Sequence, residues 1–229
     1  EQPTDLEACD DDLDGIVLFD LTQVEPEVLN GLDPALYTIS YFEDINLTIA
    51  IANTSGYPNI PPSPQTIYVL VEDIATGCQS ETSFKLWVFL PPVLIAPSEL
   101  ALCDFTEITG PNDETEPFDL ESKTDEITAG NTNIDITYYQ TQADADAATN
   151  PLASLYINIA NPQTIFIRAE DINSNCTVST GITLDLVVNP LPTPITPLPL
   201  EMCDDDLDGI VEFTLTDKDA EIIGGEPGV

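Results

Sequence analysis

The chain reads as all-β: tandem antiparallel β-sandwich domains joined by short proline-rich linkers. Three observations predict this. The sequence repeats itself with a period near a hundred residues, apolar and polar residues alternate inside each repeat, and prolines gather between repeats. Alternation with a period of two puts one set of side chains on a buried face and the other in water, which is the mark of a half-buried strand. At about 95 residues per unit, the immunoglobulin-like sandwich is the size class that fits.

The repeat is visible in the residues themselves. Leu6-Glu7-Ala8-Cys9-Asp10-Asp11-Asp12-Leu13-Asp14-Gly15-Ile16-Val17 returns at 200–211, changed only where Ala8 becomes Met202. A looser copy opens at Leu100-Ala101-Leu102-Cys103-Asp104, and Pro162-Gln163-Thr164-Ile165-Phe166 answers Pro64-Gln65-Thr66-Ile67-Tyr68. Cys9, Cys103 and Cys203 lie 94 and 100 residues apart. The expected domains are therefore 1–92, 93–192 and, at 193–229, the first part of a third repeat too short to bury a core of its own. Pro91 to Pro97 and Pro190 to Pro199 form the linkers, and proline at this density favours stiff, extended chain. Glu1 to Asp5 carries no basic region or apolar stretch, so a mature or internal segment is expected.

Strand positions follow from the alternation. In the first repeat Tyr37, Ile39 and Tyr41 share a face, as do Ile67, Val69 and Val71, and Phe84, Leu86, Val88 and Leu90. Their counterparts are Ile134, Ile136 and Tyr138; Ile165, Ile167 and Ala169; and Ile182, Leu184, Leu186 and Val188. Only 141–149 (TQADADAAT) reads as a short helix between strands.

Charge then excludes whole classes of function. Asp and Glu number 42 against 4 Lys and Arg, with no histidine, giving a net charge of −38 on a chain that is 42% hydrophobic. That apolar content separates it from acidic disordered tails. Four scattered cations cannot make the basic stripe that nucleic acid or an anionic membrane requires. No apolar run is long enough for a membrane span, so direct membrane insertion is not expected. Without histidine there is no imidazole metal site and no histidine-dependent triad. The small partner that remains is a hard cation.

The strongest chemical motif is Asp10-Asp11-Asp12-Leu13-Asp14-Gly15, repeated at 204–209. In a D-x-D-x-D-G loop, aspartates at positions 1, 3 and 5 converge, glycine permits the sharp turn, and the carbonyl at position 7 adds an oxygen. The candidate Ca²⁺ ligands are thus Asp10, Asp12, Asp14 and Ile16, with Asp204, Asp206, Asp208 and Ile210 in the third copy. The twelfth-position glutamate of an EF-hand is absent, since Leu21 and Leu215 stand there, so further ligands must come from elsewhere. Glu72 or Asp73, at a strand end, are candidates. The plainer alternative is a solvated acidic turn. The second repeat keeps only Asp104 in register.

Each full repeat holds one cysteine early and one in a late hairpin loop. Pairing within repeats would join Cys9 to Cys78 and Cys103 to Cys176; pairing across repeats would join Cys78 to Cys103 and Cys176 to Cys203; buried free thiols are the third reading. An immunoglobulin-like path that starts its first strand near the last hairpin loop favours the first. It also puts the acidic loop at the junction with the preceding linker, where Ca²⁺ would stiffen a string of domains. Affinities of such sites, on the order of 10⁻⁴–10⁻³ M, suit an extracellular setting.

Alternation also directs Tyr68, Leu70, Trp87 and Phe89 away from the expected core, a possible contact patch for a glycan or another surface protein. The aligned residues of the second repeat, Phe166, Arg168, Asp185 and Val187, are more polar. Cover by the segment 43–64 or by a neighbouring repeat is the simpler expectation. The acids that recur between repeats fall in loops explained as ligands or turns, so no enzyme is expected.

The pattern C-D-D-D-x-D-G, followed by N-P-Q-T-I-[YF]-[VI]-R-[VA]-E-D-x-x-[ST]-x-C and x-L-x-V-N-P-L-P, resembles tandem repeats of very large Bacteroidota surface proteins. Among these are flavobacterial gliding-motility adhesins exported by the type IX secretion system. The resemblance covers nearly the whole chain and is strongest at 6–17, 161–176, 184–192 and 200–211, departing at Ser63-Pro64 and Leu70. It implies immunoglobulin-like domains in a filament-like adhesin on the bacterial cell surface. The leading expectation is a stalk segment whose partners are the adjacent repeats of its own chain. Glycan-binding repeats, or lateral assembly into a fibre, are the alternatives.

Overall fold

The structure, a computed structural model, describes residues 2–104, 110, 113–205 and 208–224. It is built from strands: β1 (Leu6–Cys9), β2 (Leu18–Phe19), β3 (Tyr37–Phe42), β4 (Tyr57–Pro58), β5 (Gln65–Asp73) and β6 (Gln79–Phe89) in the first repeat. In the second come β7 (Leu100–Cys103), β8 (Pro117–Asp119), β9 (Ile134–Tyr139), β10 (Leu155–Ile157), β11 (Gln163–Asp171), β12 (Thr177–Val178) and β13 (Thr183–Asn189). The fold is all-β with tandem immunoglobulin-like repeats, as the alternation predicts.

In the first repeat one sheet runs β1-β6-β5-β3 and faces the small β2–β4 pair. β5 and β6 form a long antiparallel hairpin, from Gln65 opposite Leu86 to Glu72 opposite Gln79. Inward residues of both sheets interlock: Phe19 and Tyr57 from one, Tyr41, Ile67, Val69, Phe84 and Leu86 from the other, with Leu21, Val24 and Val28 closing the end. Tyr41 meets Phe84 edge-on, their ring centres 6.5 Å apart. Aromatic rings prefer this arrangement because the positive ring edge faces the negative π-cloud. The matching positions of the second repeat, among them Phe118, Leu120, Ile127, Tyr138, Ile165, Ile167, Leu184 and Leu186, are buried too.

β1 is the exception to the antiparallel rule. It lies parallel to β6, with Leu6 opposite Leu86 and Cys9 opposite Phe89. β7 lies parallel to β13 in the same way, Cys103 opposite Asn189. The first strand of each repeat therefore ends where the last strand ends. This placement decides the positions of the cysteines and the acidic loops.

Short helices exceed the sequence expectation. α3 (Gln142–Ala147) is the helix foreseen, capped by Thr141, whose hydroxyl accepts from the Asp144 amide. Unforeseen are α1 (Glu25–Leu29), α2 (Thr124–Thr128) and α4 (Asp219–Ile223), each following a 3-10 turn. At five residues they are too short to show a periodic apolar face, so only their ends could betray them. Asp20 caps the turn before α1, Pro26 sits in its first turn, and Asn30 closes it in the left-handed conformation. These are the residue types such positions favour.

By contact density the chain forms two compact units, one of Glu1–Pro97, Glu121–Ala153 and Ile165–Leu184, the other of Ser98–Leu120, Ser154–Thr164 and Asp185–Val229. The division runs through the second repeat. Within the first unit the linker touches α2: the Ile95 amide donates to the Ile127 carbonyl at 2.9 Å. Within the second, the Ile195 amide donates to Ile222 of α4 at 2.9 Å. Each linker residue lies eight positions before the cysteine of the repeat whose helix it meets. A second strap recurs. Glu27 of α1 accepts from the Thr4 amide and hydroxyl at 2.6 and 2.7 Å, and Glu221 of α4 accepts from the Leu198 amide.

Candidate functional site: the cysteine and aspartate end of the first strand

Cys9 is bonded to Cys176, with Cα atoms 5.6 Å apart and the two residues 167 positions apart in sequence. This corrects both proposed pairings. β6 has 11 residues, Cys9 lies opposite its last, and Cys78 precedes its first. At about 3.3 Å per residue the two cysteines are roughly 35 Å apart. A disulfide needs Cα atoms within about 7 Å, so Cys9 and Cys78 cannot pair inside one repeat. Cys176, held by Cys9, is unavailable to Cys103 or Cys203. Cys176 is fully buried, whereas Cys78, Cys103 and Cys203 are free and exposed.

The same geometry moves the acidic loop. The Asp10 amide donates to the Phe89 carbonyl at 2.9 Å, so the loop sits beside the strand end from which the following linker leaves, not at the preceding one. It also removes Asp73 from the candidate ligands. Asp73 belongs to the far end of the hairpin, where its amide donates to the Cys78 carbonyl. There its carboxylate takes the amides of Ala75 and Thr76 at 2.9 Å each. Hydrogen bonds from Thr76 hold its carboxyl below the ordinary aspartate range. Asp171 does the same for Asn173 and Ser174. These aspartates shape turns, the plain reading for that position.

The other three first-repeat aspartates do come together. Carboxylate oxygens of Asp10, Asp12 and Asp14 lie within 4.8 Å of one another. Asp10 is buried; its Oδ2 accepts from the Gly15 amide at 2.7 Å, while its Oδ1 is buried without a partner. Asp14 Oδ1 accepts from the Ile16 amide at 2.7 Å. The Asp14 amide lowers the Asp12 carboxyl, but repulsion from Asp14 and contact with Asp10 outweigh it and leave Asp12 above the usual range. Gly15, at φ +82°, supplies the left-handed turn that the crowded loop requires. In the third copy Asp204 accepts from Gly209 and Asp208 from Ile210 in matching fashion. Asp206 lies outside the described residues.

Asn59 was not foreseen. Buried, it accepts from the Val17 amide at 2.6 Å and donates to the Gly15 carbonyl at 3.1 Å, clamping the loop's exit. Asn158 does this in the second repeat, accepting from Glu116 at 2.7 Å and donating to Glu114 at 2.9 Å. The recurrence of Tyr-x-Asn-Ile at 57–60 and 156–159 is the signal that marks them.

The aromatic patch does not form as one surface. The β5–β6 register sets Tyr68 opposite Ser83 and Leu70 opposite Glu81. Trp87 is four residues beyond Ser83, or about 13 Å along the strand. The four side chains thus divide into two half-buried pairs. Trp87 stacks on Phe89 with ring centres 6.2 Å apart, and its indole N–H donates to Asp5 at 3.0 Å. Asp5 also takes the Lys85 amide at 2.8 Å, so the residues entering β1 lie against this pair.

Among the described residues, no helix is long and apolar enough to cross a membrane. The sequence profile of the Flavobacterium inter-domain disulphide bond domain matches residues 5–92 and again 99–192. No curated protein matches. Solved structures show distant likeness. The I-band fragment I67–I69 from titin is 13% identical at a TM-score of 0.32, covering 82% of this chain and 63% of its own. Sidekick-1 immunoglobulin domains 1–5 is 13% identical at 0.31, covering 82% and 38%. Human mucin-like protocadherin EC1-2 is 12% identical at 0.26, covering 83% and 97%.

Proposed function

The chain belongs to the Flavobacterium inter-domain disulphide bond domain family, and from that premise we propose that it is a load-bearing stalk segment of a large extracellular bacterial surface adhesin. The observation that carries this is the Cys9–Cys176 bond, which staples the first repeat to the second. The early cysteine of one repeat takes the late cysteine of the next. Applied to the remaining thiols, the rule gives Cys103 and Cys203 partners in following repeats and Cys78 a partner in a preceding one. The surroundings of Cys78 agree with it. The thiol borders a groove of about 530 Å3 with Val28, Leu29, Tyr37 and Val71, room for the cysteine-bearing strand end of another repeat.

A disulfide of this kind forms and persists outside the cytosol, which supports a cell-surface location. The resemblance to giant flavobacterial gliding adhesins supports type IX export and a role in adhesion. Ca²⁺ held by the Asp10 loop, and by Asp204, Asp206 and Asp208, would brace the strand end from which the linker after each of those two repeats leaves. The segment is not an enzyme in this reading. Its partners are its own neighbouring repeats, with no nucleic acid and no membrane insertion.

The test is a longer stretch of the same array, mapped by non-reducing peptide mass spectrometry and imaged by electron microscopy before and after reduction. Early-to-late linkages between successive repeats are expected, with rods that lose straightness on reduction. Linkages within repeats, or rods indifferent to reductant, would overturn the reading.

A further inference from the structure

We propose that the Asp10–Gly15 loop binds one Ca²⁺ and that the second repeat has replaced this ion with a backbone amide. The inference rests on the calcium part of the stalk reading and names which repeat takes the metal.

The two loops begin and end at equivalent residues, although the second is five residues longer. Asp10 and Asp104 each follow the cysteine that ends the first strand, and each donates its amide to the last residue of the last strand, Phe89 and Asn189, at 2.9 Å. Both carboxylates are buried. At the loop exit, the asparagine clamps align Gly15 with Glu114 and Val17 with Glu116. One oxygen of each aspartate is satisfied alike: Asp10 Oδ2 accepts from Gly15 at 2.7 Å, and Asp104 Oδ2 from Glu114 at 2.9 Å.

The other oxygen distinguishes the repeats. Asp104 Oδ1 accepts from the Asp113 amide at 3.2 Å, so both oxygens are paired. In the first repeat the corresponding amide, that of Asp14, turns instead to Asp12 Oδ1 at 3.4 Å. Asp10 Oδ1 is left buried with no partner. A buried carboxylate oxygen in that state is costly, and native structures satisfy nearly all such groups. Around it the sequence has placed more negative charge. Oxygens of Asp10, Asp12 and Asp14 within 4.8 Å of one another match ligands of a single ion, since two oxygens each about 2.4 Å from Ca²⁺ are at most about 5 Å apart. A set made only of oxygen favours a hard cation over zinc or copper. The second repeat keeps an acid, Asp113, at the position aligned with Asp14 but has Pro111 where the first has Asp12, and both oxygens of its buried aspartate accept backbone amides.

Calorimetric titration of the oxidised chain with CaCl2 up to about 10 mM spans the affinity such sites show. Asp12→Ala, which leaves no side-chain oxygen at that position, is expected to bind one ion fewer than the parent. Asp113→Ala, which removes a carboxylate from the second loop but keeps its amide, is expected to bind as many as the parent. Asp12 and Asp113 are exposed, so neither change empties the core, and circular dichroism of both variants verifies the fold. No calcium uptake, an unchanged stoichiometry in Asp12→Ala, or the loss of an ion in Asp113→Ala would overturn the proposal. Peptide mapping of the same samples reports Cys9–Cys176 independently, so failure of the metal site is distinguishable from failure of the disulfide-stapled stalk.

Discussion

The amide of Ile95 donates to the carbonyl of Ile127 at 2.9 Å, tying a linker that has no strand or helix of its own to the short helix α2. Ile195 and Ile222 repeat the bond. The linker is thus anchored to the repeat it introduces. Hydrogen exchange should find the Ile95 and Ile195 amides protected, against the fast exchange of an unanchored linker. Ile95→Pro, which deletes the donor, should lower stability to urea by about 1 kcal/mol, and Ile95→Ala should cost less. Equal exchange along the whole linker would count against the anchor.

The second strap should respond to acid. Hydrogen bonds from the Thr4 amide and hydroxyl hold the Glu27 carboxyl below its ordinary value. A carboxyl whose folded pKa is depressed stabilises fully above its unfolded pKa, about 4.3, and loses that contribution as pH falls through the lower, folded value. The Thr4 amide resonance should therefore shift as the solution is taken below about pH 4. In Glu27→Gln it should stay put.

Asn158 offers a sharp stability test. It is 1% exposed and serves the Glu116 amide and the carbonyls of Glu114 and Ala160. Asn158→Ala strands these groups and should cost about 2–3 kcal/mol in urea unfolding. Asn59→Ala should lose a similar amount, from the first repeat. A loss under about 0.5 kcal/mol in both would show the clamps to be incidental.

Ser63 and Asn161 occupy one position with different capacity. Asn161 accepts from the Val188 amide at 2.9 Å and donates to the Val188 carbonyl at 2.8 Å, whereas Ser63 accepts from the Val88 amide at 2.9 Å. Asn161→Ser should destabilise the second repeat by about 1 kcal/mol, and Ser63→Asn should strengthen the first by a similar or smaller amount. Differential scanning calorimetry of the two variants checks both signs.

Much of this architecture is legible in the residues. Alternation marks Ile67, Val69, Phe84 and Leu86 as core, and they are; repetition reveals the tandem domains. The convergence of Asp10, Asp12 and Asp14 follows from their spacing. What the sequence hides is which end of β6 receives β1. Parallel and antiparallel placement demand the same alternating residues, so the parallel register is silent, and with it the Cys9–Cys176 pairing and the remoteness of Asp73. The five-residue helices escape because they are shorter than two turns. Asn59 escapes because a buried asparagine among loop residues looks like any turn former until its partners are seen.

The disulfide between residues 167 positions apart also sets how the segment answers a pull. Tension entering ahead of Cys9 crosses directly to Cys176 through the sulfur–sulfur bond, bypassing every strand from β2 to β11. Those strands can melt without the molecule becoming longer. With the bond cleaved, melting the same strands frees chain that, fully drawn out at about 3.4 Å per residue, amounts to roughly 550 Å. Thiol chemistry, more than the strength of the sheets, determines the reach of this segment.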